Sequence, residues 1–189
     1  MPLAVISLFY PGAEIMPVFA IKPVSATPEH IAALSDLLIE TVASGGSVSF
    51  MHPLERQEAM SLWRNAFASA AQGERIIVGA FDGDRLAGTV SLLLIQAANQ
   101  LHRAEIGKLM TAVNYRGQGI ATLLMQAAES MALDHGRTHL MLDTATDGGA
   151  TPLYEKLGFS LAGEIPDFAL KPHGGLTGTL FFWKRLSVG

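Results

Sequence analysis

"NYRGQGIATLL", Asn114–Leu124, sets an arginine and two glycines directly ahead of a strongly apolar run. Ile120, Leu123, Leu124, Ala127, Ala128 and Met131 recur at helical spacing and Gly136 supplies a stop, so the run reads as an amphipathic helix. Glycine costs a helix about 1 kcal/mol relative to alanine, so Gly117-Gln118-Gly119 at its mouth wants a reason. A tight strand-to-helix turn is one. A dinucleotide site is another: a G-x-G-x-x-G begins here and Asp143 closes the next strand. Thr122, however, stands at the third glycine position, and the unit comes after a hairpin instead of opening a βαβ array. The third is a diphosphate seated on the successive amides of Gly117, Gln118, Gly119, Ile120 and Ala121 at the positive end of the helix, with Arg116 adding charge.

Working outward, "RAEIGKLMTAV" (Arg103–Val113) reads as the strand that feeds this turn, and "THLMLDT" (Thr138–Thr144) as the strand after the helix. Upstream, "RIIVGAF" and "LAGTVSLLLI" flank Asp82-Gly83 as a hairpin. Val18–Val24 is a first strand. Thr27, Pro28 and Glu29 then open a helix with Ile31, Leu34, Leu38 and Val42 on one face. "SGGSVSFM" (Ser44–Met51) breaks it, and a second amphipathic helix runs from about Leu54 to Gln72. Downstream, "TPLYEKLG" is a short helix, and "FSLAGEI" and "TLFFWKRL" are the last strands. Hairpin first, one strand–helix–strand unit in the middle and strands to finish make an α+β domain. Its mixed, mostly antiparallel sheet has about seven strands, flanked by about four helices.

The 189 residues fit one domain, placed over 17–189, with Met1–Met16 as a loose N-terminal extension. A hydrophobic share of 49% against 16% charged residues argues for a well-buried core. The net charge of -4 disfavours a nucleic-acid partner, because phosphate backbones want clustered Lys and Arg. With no cysteine, disulfides, thiolate metal sites and cysteine nucleophiles drop out, and a cytoplasmic location fits. The histidines are scattered and make no metal set, and no apolar run is long enough to enter a membrane as a span. His52 comes after "SVSFM" as a solvated loop histidine; Trp63 and Trp183 read as core or interface aromatics.

Arg116-x-x-Gly119-x-Ala121 after a strand resembles the acyl-CoA signature of the GNAT acetyltransferases, R/Q-x-x-G-x-G/A. "ETVASGGSVSFM", "RAEIGKLM", "LDT", "LYEKLGF", "GEIPDFALKPHGGL" and "TLFFWKRL" occur in the same order as in the tabtoxin-resistance-type acetyltransferases of that superfamily. The resemblance implies the GNAT fold and transfer of acetyl from acetyl-CoA to the primary amine of a small molecule. That acceptor is amino-acid-like, with tabtoxinine-β-lactam as the named possibility and a toxin-resistance role attached. It also implies that the pantetheine arm pairs with the backbone of Leu109, Met110 and Thr111, and that the phosphates fall on Arg116 through Thr122. Family members often pair as homodimers, and an exposed aromatic end strand such as "TLFFW" would suit that.

An amine must lose a proton before it attacks a thioester directly, and a lysine-like amine has a pKa of about 10.4. Glu105 and Asp143, each on a central strand, match active-site carboxylates of the resembled family and are the general-base alternatives. Tyr154 on the short helix matches the family's tyrosine and would protonate the leaving thiolate. Phe168 stands where many relatives carry tyrosine, and Val113 where many carry proline. Two other functions stay in view: a protein or peptide N-acetyltransferase, which needs an open groove where "SGGSVSFM" otherwise makes a lid, and a CoA-binding regulatory module without turnover.

Overall fold

The computed structural model describes residues 19–187. The expected extension over Met1–Met16, and Val18 of the first strand, lie outside these residues. Within them the order is β1 (Ala20–Pro23), α1 (Pro28–Ala43), α2 (Arg56–Ala71), β2 (Arg75–Asp82), β3 (Arg85–Leu94) and β4 (Arg103–Thr111). After a single 3-10 turn (Val113–Tyr115) come α3 (Ile120–Asp134), β5 (His139–Ala145), α4 (Thr151–Lys156), β6 (Ser160–Leu170) and β7 (Leu176–Arg185). The α+β expectation holds: one seven-stranded sheet in the order β1-β2-β3-β4-β5-β7-β6, antiparallel throughout except where β4 meets β5.

Strand alternation divides the apolar residues between two cores. Val78, Val90, Leu92, Ala104, Ile106, Leu140, Leu142 and Phe182 pack with Ile120, Leu124, Met125 and Ala128 of α3. On the opposite face Ile77 and Phe81 pack with Leu34, Leu38 and Val42 of α1 and with Trp63 and Phe67 of α2. Helix α1 starts as its sequence implies, with Thr27 Oγ1 accepting from the His30 amide at 3.2 Å behind Pro28 and Glu29. Trp63 is fully buried, whereas Trp183 is half-buried under the His139 ring, stacked at 5.7 Å.

Strand β4 is irregular in two ways. Between the pairs Ser91↔Gly107 and Thr89↔Met110, β4 advances three residues while β3 advances two, which is a β-bulge. Lys108 sits in it at φ +53. The extra residue turns the strand over: Ala104 and Ile106 face α3, but Met110 joins the α1/α2 core and Leu109 the α3 core. The second irregularity is the short parallel ladder. Only Arg103↔His139, Ala104↔Leu140 and Glu105↔Met141 pair, so β4 and β5 splay apart beyond Glu105 and Met141.

Three expectations need correction. The strand expected to reach Val113 ends at Thr111, because the Tyr115 amide turns back to the Ala112 carbonyl at 2.8 Å and the Val113 amide goes to Glu40 Oε2 at 3.1 Å. "TLFFW" is not an end strand: β7 lies between β5 and β6, with Phe182 only 1% exposed. The edge is β6, which runs past "FSLAGEI" to Leu170 through Pro166, a residue an edge strand tolerates because no partner needs its missing N–H.

Gly88 in β3 fixes how closely α3 approaches the sheet. A methyl there would lie 2.8 Å from the Met110 carbonyl oxygen, 2.9 Å from Ile120 Cγ2 and 3.2 Å from Leu124 Cδ1. Gly88→Ala should therefore destabilise the fold by about 1–3 kcal/mol through overpacking. Urea titration checks this as a lower midpoint at an unchanged slope.

Candidate active site

The turn between β4 and α3 is built on two left-handed glycines, Gly117 at φ +78 and Gly119 at φ +80. Only glycine adopts that region at no steric cost, so the turn alone already demands both residues. The space beside them is open as well, with no atom within 4 Å of where either Cβ would lie. Gly119 is the N-cap of α3, which has neither a side-chain cap nor an acidic residue in its first turn. Among the described residues no carbonyl accepts from the amides of Gly117, Gln118 or Gly119. With Ile120, Ala121 and Thr122 they make a row of donors at the positive helix end, where a helix start favours an anion.

The flanking side chains point elsewhere. Arg116 donates from Nη2 to Ser44 Oγ at the C-terminus of α1 at 2.9 Å, and Gln118 Nε2 donates to the Asn114 carbonyl at 3.3 Å. Arg116 thus ties the glycine turn to α1, and would have to leave Ser44 to meet a phosphate. Leu109 and Met110 send their side chains into the two cores, and Thr111 is half-buried. Their backbone lies beyond the last β4–β5 pair, so the edge they turn toward β5 has no ladder partner.

Glu105 and Asp143 come together at the splay. Both line one cleft of about 90 Å³, with Ile106, Met141, Leu142 and Phe181. Glu105 Oε1 accepts from Arg103 Nη2 at 2.7 Å. Asp143 lies within β5, two residues before its end, and Oδ2 accepts from Thr179 Oγ1 at 3.3 Å. By register, Gly107 and Asp143 each stand two residues further into the gap than the last pair, Glu105↔Met141. A larger groove, lined by Lys22, Glu29, His30, Phe81 and Asp84, contains none of these groups.

Tyr154 approaches from the α3 side. It is 6% exposed, packed against Phe159 and Phe182 at ring distances of 6.1 and 5.8 Å. Burial, and then the charge of Asp143, push its phenol up to about 12. The two carboxylates thus share the cleft, while Tyr154 sits in the α3-side core within the electrostatic reach of Asp143.

Two loops meet beside the end of α1 and form a roof. The His52 amide donates to the Pro172 carbonyl at 2.9 Å, the His52 and His173 rings lie 4.6 Å apart, and the His173 Nε2 is 3.0 Å from the Ala43 carbonyl. The two segments 44–55 and the β6–β7 turn thus meet, and His52, exposed as expected of a loop histidine, also takes part in that contact. Phe168 packs edge-on against Phe181 of the cleft at 5.9 Å. Among the described residues no three histidine or acidic side chains group as metal ligands. None of their helices is long and apolar enough to cross a membrane.

Residues 41–159, well over half of the chain, match the Acetyltransferase (GNAT) family. The chain belongs to that family. Three curated relatives are similar over part of their length. The uncharacterized N-acetyltransferase YedL of Escherichia coli is 32% identical over 49% of this chain and 58% of its own. N-alpha-acetyltransferase 30 of Schizosaccharomyces pombe is 37% identical over 42% and 54%. Spermidine N(1)-acetyltransferase of E. coli is 35% identical over 50% and 50%. The chain thus spans about half the length of the curated relatives it matches. The fold is that of an N-acetyltransferase from Staphylococcus aureus Mu50, with TM-score 0.74 and 17% identity over 89% of this chain and 99% of that one. It is also that of yncA from Salmonella typhimurium, solved with its cofactor acetyl-CoA, with TM-score 0.72 and 14% identity over 91% and 96%.

Within this GNAT chain, sequence reasoning passed over Gly88, Lys108, Arg75 and the Ser44 contact. A lone glycine inside "LAGTVSLLLI" was a signal for close backbone approach. Nothing local marked the other three, which matter through partners remote in sequence.

Proposed function

We propose that this chain is an acetyl-CoA-dependent N-acetyltransferase acting on the primary amine of a small, amino-acid-like molecule. One observation supports the reading: β4 and β5 part beyond Glu105 and Met141, Glu105 and Asp143 line the cleft there, α3 starts uncapped, and Tyr154 is buried within reach of the Asp143 charge. The amides from Gly117 to Thr122 would hold the diphosphate of acetyl-CoA, and the open edge at Leu109–Thr111 its pantetheine arm. The cosubstrate supplies a thioester-bound acetyl group. Asp143 receives the proton of the acceptor ammonium, since among the described residues its side chain is held only by the Thr179 hydroxyl. Glu105, with one oxygen held by Arg103, uses the other to orient that ammonium. Tyr154 delivers a proton to the departing sulfur from the opposite face. The roof at His52 and His173 supports a small acceptor over a peptide threaded through an open groove. The sequence resemblance makes tabtoxinine-β-lactam the first amino-acid-like acceptor to try, with the E. coli relative's spermidine as its rival. A second copy covering the exposed Leu161, Ile165 and Phe168 of β6 belongs to the same reading.

A thiol-release assay with acetyl-CoA over amino acids, polyamines and short peptides tests it; no release with any amine would end the enzymatic reading and leave a CoA-binding module. Calorimetry tests the cosubstrate half. Gly119→Val forces a β-branched residue to φ +80, a strain of about 1–3 kcal/mol. It should weaken acetyl-CoA binding by about tenfold or more. Unchanged affinity in the folded variant would remove the glycine turn from the site.

A further inference from the structure

Two cations lie on the carboxylate face of the sheet without a carboxylate of their own. The ion pairs among the described residues are Arg56–Asp36, Arg103–Glu105, Lys171–Asp147 and Lys184–Glu129, and neither Lys108 nor Arg75 takes part. Lys108 Nζ reaches under the roof loop instead, 3.3 Å from Ser49 Oγ and 5.9 Å from the Phe50 ring centre. Arg75 stands opposite Leu93, which stands opposite Glu105, so all three side chains share this face. Its Nε is buried without a hydrogen-bond partner. Burial and the nearby Arg75 charge push the Lys108 pKa down while Asp143 pulls it up, so Lys108 lies within electrostatic reach of both Arg75 and the cleft carboxylate. Burial likewise lowers the pKa of Arg75.

Partly desolvating two like charges, neither of them in an ion pair among the described residues, is unfavourable and is relieved by an anion placed between them. The backbone makes the same point. Lys108 holds φ +53 at the bulge, a conformation that glycine takes freely and lysine does not. Strain of this kind clusters at ligand sites, and here it aims the Lys108 side chain at the roof loop.

We infer that Lys108, backed by Arg75, is the receptor for an anionic group on the acceptor: a carboxylate near the amine that Glu105 and Asp143 receive. This rests on the proposed amine acetylation and narrows it. The acceptor is a zwitterion, with its ammonium toward the two acids and its carboxylate toward the two cations. A diamine or polyamine would bring a second ammonium against Lys108, and the site rejects it.

The test uses acceptor pairs that differ only by the carboxylate: L-ornithine with putrescine, and L-2,4-diaminobutyrate with 1,3-diaminopropane. Thiol release gives kcat/KM, and calorimetry with CoA present gives affinity. The wild type should favour the acid of each pair by about tenfold or more, as a charge-assisted contact implies. Lys108→Met should bring that ratio close to one, mainly through KM for the acid, and Lys108→Arg should restore it. A wild-type preference for the diamines overturns the inference without needing any variant, and so does a ratio that survives Lys108→Met in folded protein. If no amine is acetylated, the enzymatic reading fails, and calorimetry still decides this one. Binding of the acids that Lys108→Met abolishes upholds the anion receptor; absence of such binding overturns it too.

Discussion

Asp143→Asn should lower kcat/KM by roughly 10²–10⁴-fold, the usual worth of a positioned general base, with acetyl-CoA affinity changed by no more than about twofold. The asparagine keeps the shape and can still accept from Thr179 Oγ1 through its carbonyl oxygen, so the fold has no reason to suffer. What it cannot do is take a proton. Glu105→Gln should behave differently. It takes the charge from the 2.7 Å contact with Arg103, a pair half-open to solvent, so melting temperature falls slightly along with rate. Steady-state kinetics beside thermal melts separate the two carboxylates. A full-rate Asp143→Asn enzyme would hand the base role to Glu105.

Tyr154→Phe should lower kcat by about tenfold or more and leave acetyl-CoA affinity and stability nearly unchanged. Among the described residues no hydrogen bond holds the hydroxyl, so its removal orphans no buried partner. Packing on Phe159 and Phe182 survives, because phenylalanine keeps the ring. The proton is the variable. With its phenol pushed up to about 12 by burial, Tyr154 stays protonated through the physiological range and past pH 10, as a proton donor must. A phenol pKa raised in this way contributes stability that is complete below about 10 and lost as pH climbs toward 12. Phenolate absorbance, wild type minus Tyr154→Phe, should therefore titrate near 12. A difference signal near 10 would mean an exposed phenol and no reserved proton.

Much of this architecture was legible along the chain because it is written locally. The Thr27-Pro28-Glu29 start of α1, the β2–β3 hairpin, the α3 stripe and the glycine turn depend on neighbours within a few residues. Glu105, Asp143 and Tyr154 could be singled out by chemical type and family likeness; Glu105 and Asp143 line one cleft, and Tyr154 is buried close enough to feel the charge of Asp143. What escaped depends on pairing between distant segments. No pattern in "RAEIGKLMT" announces a bulge, since the extra residue is defined only against β3. "TLFFW" looked like an edge because its rings are conspicuous, but β6 returns outside it and covers that side. His52 could not be assigned a partner as remote along the chain as His173, nor Arg116 one in Ser44.

The brevity of the parallel ladder has a mechanical consequence. Three residue pairs form the ladder between β4 and β5, and beyond them no ladder bond crosses the fissure, which side chains underpin from the α3 side. An extended occupant with amide groups of its own would lie along the bare margin of β4 like a surrogate strand. Loading the protein would then tighten its weakest seam, and the visiting molecule would serve as mortar between two half-sheets that the polypeptide itself leaves loosely joined.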